Sequence, residues 1–318
     1  MLRTPRQAAL VVAGMAALTS CQLFGQSSSV GHTSPSPSAT VGAPTPSPSV
    51  STSPSTSVSP TAKCSPGQRL ASNLQRIYSS SGDPDDILAV GATTYVVLIN
   101  AGKIVALSPD GARVVTSGLT QPEGLAAAPG GSLYVVEQTS NRVDLVTTDG
   151  SNRVTPIKSF PRVAGRLGID SIHELGDGRL LVPNSPEGKL YVLDPASRST
   201  QLIASGLSRP VDAIAFDGGY AIADEQLGLV SVPGDGSAGY RRLASAPVAD
   251  DVVIDAAGEL LVSSMGSNAV LRYRAGTVEA IASGFSQPQG LALRSDGSLL
   301  VSDEGLQAVI VVPAACLA

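Results

Sequence analysis

One pattern constrains this chain more than any other. A ten-residue stretch recurs six times, at residues 95–104, 134–143, 181–190, 221–230, 261–270 and 300–309. YVVEQTSNRV, LVPNSPEGKL and LVSDEGLQAV show its form: apolar residues, a small or polar turn, then a return to Ile, Val or Leu. That is a strand, a tight connection and a second strand. Units spaced about forty residues apart cannot bury their apolar faces alone and must pack against one another. At this period the expected architecture is a β-propeller.

Each unit has flanking strands. Before it lies a short strand, often opened by Pro-x-Gly or Pro-x-Asp: Pro84-Asp85-Asp86, Pro122-Glu123-Gly124, Pro210-Val211-Asp212 and Pro288-Gln289-Gly290. Gly168-Ile169-Asp170 and Asp250-Asp251 stand in the same place in the third and fifth units. After it comes a fourth strand, ending in Ser-Gly-Leu or Ser-Gly-Phe at residues 117–119, 205–207 and 283–285. Asp-Gly pairs at residues 110–111, 149–150, 177–178 and 296–297 mark hairpin turns. Six units of four antiparallel strands give an all-β, six-bladed propeller over residues 64–318.

The N-terminus has another character. Arg3 and Arg6 precede an apolar run over residues 8–18, the layout of a secretory signal over residues 1–20 and too short to span a bilayer comfortably. It ends in Leu18-Thr19-Ser20-Cys21, which resembles the bacterial lipobox. The resemblance implies cleavage before Cys21 and its acylation, hence an exported protein held at the outer face of the cell membrane. The linker over residues 21–63 follows. In residues 26–63, 26 of 38 positions are Ser, Thr or Pro, with no acidic residue, so it lacks the apolar content to offset its ordering entropy. Seven prolines bias it toward extended forms, a spacer of up to ~100 Å at about 3.1 Å per residue. Its Ser/Thr-Pro density also permits O-glycosylation, and its His32 has no expected role.

The last unit has only three strands, because the sequence ends at Ala318. Residues 74–82 end like the fourth strands elsewhere and lead directly into the first unit. They are expected to pair with the strand near residues 308–312 and close the ring, removing an exposed sheet edge. With Cys21 assigned to lipid, two cysteines remain, Cys64 and Cys316. One precedes the closing strand and the other follows its partner, so antiparallel pairing brings them together as a disulfide, suited to an oxidising compartment.

Two stretches, TQPEGLAAAPGGSLYVVEQTSNRV (residues 120–143) and SQPQGLALRSDGSLLVSDEGLQAV (residues 286–309), resemble NHL repeats. More loosely they resemble the gluconolactonase/regucalcin/strictosidine-synthase-like six-bladed propellers. The resemblance covers residues 83–313. It implies the fold and, for the lactonase-like relatives, a divalent metal held by acidic and amide residues at the inner-strand starts, commonly just before the Gly. Here Ile169 and Val211 fall at that place and cannot ligate, while acids stand one position on, at Asp170 and Asp212.

In a propeller the starts of the innermost strands and the turns between second and third strands surround one mouth of the central channel. The inner starts carry Asp85, Asp86, Glu123, Asp170, Asp212, Asp250, Asp251 and Gln289, and the fourth position of the repeated unit carries Glu137, Asn184, Asp224, Ser264 and Asp303. A ring of carboxylates follows. Crowded carboxylates need a cation or protons between them, and oxygen-rich sites favour Ca²⁺ or Mg²⁺. The expected metal ligands are Asp86, Asp170, Asp212 and Asp251, with Glu123, Glu137, Asn184, Asp224, Gln289 and Asp303 as ligand-binding residues. The competing account is that such Asp residues accept backbone N–H groups and shape turns.

Other chemistries find little support. There is no Gly-x-Ser-x-Gly, and no Cys/His cluster of zinc-site spacing. His173, the one His after the linker, is expected to point into a blade interface. There is no Trp to offer a sugar platform. From Cys64 onward, 18 basic residues face 26 acidic ones, a net charge of −8 that repels phosphate backbones and disfavours nucleic acid. Arg142, Arg166 and Arg209, in or near the upper loops, read first as solvated surface charges and otherwise as groups that offset the acids or grip an anion. The sequence thus points to a monomeric, lipid-anchored binding or interaction module taking a small molecule or protein on its upper face. Its expected cofactor is Ca²⁺ or another divalent cation, with none organic. The rival is a metal-dependent, gluconolactonase-like hydrolase of lactones or small esters, with catalytic residues unassigned.

Overall fold

The computed structural model describes residues 64–317 apart from Gly236 and Ala238. The expected signal segment, the linker and Cys21 lie outside these residues. Six antiparallel sheets of four strands follow one another along the chain. Blade 1 comprises Pro84–Val90, Thr93–Leu98, Lys103–Ser108 and Gly111–Ser117, and blade 2 comprises Pro122–Ala127, Leu133–Glu137, Arg142–Val146 and Val154–Ser159. Blades 3, 4 and 5 begin at His173–Glu174, Pro210–Phe216 and Ala249–Ile254. Blade 6 takes Pro288–Leu293, Leu299–Asp303 and Ala308–Val312 from the C-terminal end and Gln75–Ser79 from the other. Neighbouring blades touch through their inner strands around the whole circle.

The buried apolar side chains fall into six clusters, one at each blade interface. Leu125, Leu133 and Val135 of blade 2 meet Val97, Ile104 and Ala106 of blade 1. Ile87, Val96 and Leu98 of blade 1 meet Leu300, Val309 and Val311 of blade 6. A central strand is therefore covered on both faces, as in Leu133–Glu137 and Leu260–Ser264, where all five residues are buried. This explains why the repeated units open on unbroken apolar runs instead of alternating ones. Each Leu, Ile or Val so buried contributes roughly 1.5–3 kcal/mol, and no blade can collect that stabilisation without both neighbours.

The closure matches the expectation. Gln75 pairs with Val311 and Ser79 with Ala308, antiparallel, with a bulge between Arg76 and Tyr78. Cys64 and Cys316 form a disulfide across a sequence separation of 252 residues, with Cα atoms 4.8 Å apart. Ala71, Leu74 and Cys316 join the cluster between blades 5 and 6, so the residues before the closing strand are themselves packed.

Inner strands meet in two ways at five of the six interfaces around the channel, and at the sixth Ser171 donates its N–H to the Val211 carbonyl at 3.1 Å. Where an Asp occupies the second position of the inner bulge, its carboxylate reaches one blade onward. Asp86 Oδ2 accepts Leu125 N–H at 2.6 Å, Asp212 Oδ2 accepts Val252 N–H at 3.1 Å, and Asp251 Oδ2 accepts Leu291 N–H at 2.5 Å. Where Gly occupies that position, the next strand moves in. A Cβ on Gly124 would lie 2.6 Å from Ser171 Cα, and one on Gly290 would lie 2.8 Å from Asp86 Cα.

Candidate functional site

Strand register fixes which residues face the channel. The first residue of each repeated unit pairs with Leu88, Ala126, His173, Ile214, Val253 and Ala292 in turn. Two residues before these lie Asp86, Gly124, Ser171, Asp212, Asp251 and Gly290. Asp170 therefore does not belong with Asp86, Asp212 and Asp251. It sits one place earlier, level with Asp85, Glu123, Val211, Asp250 and Gln289. The contact of Gly124 with Ser171, matching that of Gly290 with Asp86, gives the same alignment. Ile169 is fully buried and donates its N–H to Asn141 Oδ1 at 2.9 Å. Only Val211 thus breaks the ring of polar residues just before the Gly position.

All six residues of that ring line a cup of about 140 Å³ at the channel mouth. Above them stand Ile99, Gln138, Glu225, Met265 and Glu304, each following the fourth position of a repeated unit. The cup thus gathers Asp85, Glu123, Asp170, Glu225, Asp250 and Glu304 around one guanidinium, and Asp86 and Asp251 line it as well. Arg209 sits 3.2 Å from Asp170 and 3.0 Å from Glu225. Gln138 Nε2 donates to Glu123 Oε2 and Asp170 Oδ1, and Ser185 Oγ donates to Asp170 Oδ2 at 3.0 Å. Gln289 Nε2 donates to Glu304 Oε2 at 3.0 Å.

Burial and the charges of neighbouring acids raise Asp85, Glu123, Glu225 and Asp250. Burial, then the charges of Glu304 and Asp170, push Asp85 up to about 8. Burial, then Asp170, holds Glu123 well above the usual carboxylate range, and burial followed by Asp85 does the same for Asp250. Glu225 rises less, because Arg209 opposes its burial. At an effective dielectric of ~20, like charges 4 Å apart repel by about 4 kcal/mol. A cup of this kind holds protons at neutral pH or exchanges them for a cation.

Glu137, Asn184, Asp224 and Asp303, expected at the mouth, are not among its lining residues. They face between strands and collect backbone donors. Asp224 accepts N–H bonds from Ser208, Arg209, Gln226 and Leu227 at 2.9–3.1 Å, and Asp303 accepts them from Ser286, Gln287 and Leu306 at 2.8–3.0 Å. Glu137 accepts Thr120 N–H at 2.7 Å and pairs with Arg142 at 2.6 Å. Asn184 donates to Glu187 at 2.9 Å. Sequence reasoning missed Gln138, Glu225 and Glu304. The available signal was strand alternation: adjacent residues point apart, and the repeated Gly-Leu-Thr/Ser and Gly-Phe-Ser triplets supply the N–H groups that occupy the fourth position.

A second chamber of about 170 Å³ lies deeper, sharing Asp86, Ser171 and Asp251 with the cup. His173 lines it, so this side chain faces the channel and not the blade interface expected from sequence; in register it replaces the aliphatic Leu88, Val253 and Ala292. Burial lowers its pKa against the pull of Asp251. Asp212 Oδ1 is buried without a protein donor. Facing Asp251, it can bond only if one carboxyl keeps its proton. Asp212, raised by burial and then by the Asp251 charge, is that one. Of the four expected metal ligands, Asp86, Asp212 and Asp251 are therefore at this lower level, each stapling two blades, and Asp170 belongs to the cup. Among the described residues, no three His, Cys, Asp or Glu side chains are placed to hold one metal ion.

No family model matches the chain, and no curated protein sequence matches it. Among solved structures it is similar to the gluconolactonase of Xanthomonas campestris, at 16% identity and a TM-score of 0.64, covering 76% of this chain and 88% of that one. Virginiamycin B lyase of Staphylococcus aureus is 14% identical with a TM-score of 0.57, over 75% of this chain and 98% of that one. A chain of a nidogen/laminin complex is 15% identical with a TM-score of 0.58, over 68% and 87%. At these identities the likeness is one of fold: the chain is a six-bladed β-propeller of the architecture shared by gluconolactonase-like proteins and virginiamycin B lyase.

Proposed function

We propose that this protein is an exported binding module, tethered to the outer face of the bacterial membrane through Cys21, whose propeller takes a cationic ligand in the acidic cup. The observation that carries this reading is the cup itself, eight carboxylates and one guanidinium lining about 140 Å³. Drug-sized ligands need about 300–1,000 Å³, so the group that enters is small. The Cys64–Cys316 disulfide supports an oxidising compartment and hence export. The gluconolactonase-like resemblance implies a divalent ion here, and Asp85, Glu123, Asp170 and Asp250 are its nearest candidates. The fit is poor, because no three carboxylates among the described residues are disposed to share one ion. The hydrolase reading depends on that ion, whereas the binding reading does not.

Calorimetric titration of the purified protein with methylammonium chloride and with CaCl₂ tests the reading. Saturable binding of either, weakened at least tenfold by Glu123→Gln, supports a cation cup. Absence of binding by both overturns it, and turnover in a screen of lactones would move the protein to the hydrolase class. For the tether, cells fed an alkyne fatty acid should label the protein, and Cys21→Ala should abolish the label.

A further inference from the structure

The cup is not an isolated depression. Leu167, 54% exposed, lines the cup and two further cavities of about 340 and 330 Å³ on the upper face. Gln138 lines the cup and the first of these, and Arg209 lines the cup and the second. Together they form one groove along the long connection between blades 2 and 3. Its two ends carry opposite charge. At the far end stand Arg162 and Arg166. Arg166 donates to the Pro186 carbonyl at 3.1 Å, and neither guanidinium forms a salt bridge among the described residues.

Two side chains at the acidic end have acceptors left over. Gln138 is 4% exposed and Gln289 is 8% exposed. Each commits its Nε2 to carboxylates, Gln138 to Glu123 and Asp170 and Gln289 to Glu304. Neither Oε1 receives a hydrogen bond from the described residues, although both side chains line the cup. Both oxygens open onto the cup, where the N–H groups of an entering ligand can meet them. Among the described residues no three of these carboxylates are placed around one metal ion, and with two amide oxygens open to the cup they suit a group bringing several N–H bonds at once. A primary ammonium, with three, is such a group.

Resting on the cation-cup reading, we infer that the groove binds a small zwitterion, a short peptide or amino acid. Its ammonium enters the cup among Gln138, Gln289 and the carboxylates, and its carboxylate lies on the Arg162–Arg166 shoulder. Leu167 packs against the carbon atoms between the two charges. This departs from the divalent ion implied by the resemblance, because among the described residues no three acids are placed to hold one ion.

Calorimetry with alanyl-alanine, N-acetyl-alanyl-alanine, methylammonium and CaCl₂ tests it on the full chain. Alanyl-alanine should bind, and the N-acetylated peptide, which lacks the ammonium, should not. Replacing both arginines (Arg162→Ala with Arg166→Ala) should weaken alanyl-alanine about tenfold, the loss expected for a charge-assisted contact, while leaving methylammonium unchanged. These residues are exposed, so the double variant keeps the fold, and its melting temperature confirms that. Calcium binding without alanyl-alanine or methylammonium binding overturns the zwitterion and leaves the cation cup standing. Binding of alanyl-alanine unaffected by loss of both arginines overturns the shoulder. Silence from all four probes overturns the cup as well.

Discussion

Opening the ring at its covalent seam is the most informative perturbation. Cys64 and Cys316 enclose a loop of 252 residues, essentially the whole propeller. In the chain-entropy treatment, a crosslink closing about 250 residues removes roughly 18–19 cal/mol/K from the unfolded chain, about 5–6 kcal/mol at 25 °C. Folded domains are commonly stable by only 5–15 kcal/mol, so the seam matters on that scale. The native contacts differ little without it, because Gln75–Ser79 still pairs with Ala308–Val312 and Leu74 still sits in the cluster between blades 5 and 6. Cys64→Ala with Cys316→Ala should therefore keep the wild-type β-sheet circular dichroism and denaturant slope. Its urea midpoint should fall by an amount equivalent to about 3–6 kcal/mol, the lower end reflecting residual structure in the unfolded chain. Reducing the wild type should reproduce the shift. A loss below about 1 kcal/mol, with the wild type verified as oxidised by mass spectrometry, would refute the idea that the seam limits the unfolded chain.

Two further outcomes follow from the buried acids. Asp224 is fully buried and accepts four backbone N–H groups, so Asp224→Ala should cost about 3–5 kcal/mol in urea unfolding; exposed Asp110→Ala, the control, should stay within about 0.5 kcal/mol, and equal effects would remove the assigned role. The pH dependence should run against the usual direction. Asp85 rises from 3.8 to about 8 on folding, so between these values the folded protein holds a proton that the unfolded chain has released. Stability from such a group is lost as pH climbs through that window, at up to about 1.4 kcal/mol per pH unit. Burial raises Asp86, Glu123, Asp212 and Asp250 in the same sense. The melting temperature should decline from pH 5 to pH 8, and a rise over that interval would contradict the crowding of the cup.

The fold was legible because its determinants repeat. Any one copy of the ten-residue unit is an ambiguous hairpin, but six copies in register specify a ring, and a missing last strand with two matching cysteines specifies how it shuts. The site was less legible, because single-residue register decides which side chains reach the channel. Blade 3 lacks the Pro that marks four of the other inner starts, so Gly168-Ile169-Asp170 reads as though Asp170 were the counterpart of Asp212. Pairing of His173 with Leu181, against Ile214 with Ala221, moves Asp170 up to the cup and sends His173 into the channel. Likewise Asp224 and Glu225 are adjacent in sequence and equal in charge. One is consumed by four backbone donors and the other faces the cup, a difference set by tertiary hydrogen bonding and not by residue type.

The two levels of acid in the channel do different work, and this separates architecture from binding. At the lower level a carboxylate can be exchanged for a glycine, because the inner strands can meet either through an Asp-to-N–H bridge or by direct approach. Asp86 with Leu125 and Gly290 with Asp86 are the two solutions on either side of one blade. Those acids are accounted for by the ring itself. At the upper level the acids of the cup receive few donors from their own backbone, and burial, then the charges beside them, raises the proton affinity of Asp85 and Glu123. A protein gains no stability from such an arrangement and loses some as pH rises. Charge gathered at the one concave end of a closed ring, beyond what closing the ring requires, is therefore the feature best explained by something that binds there.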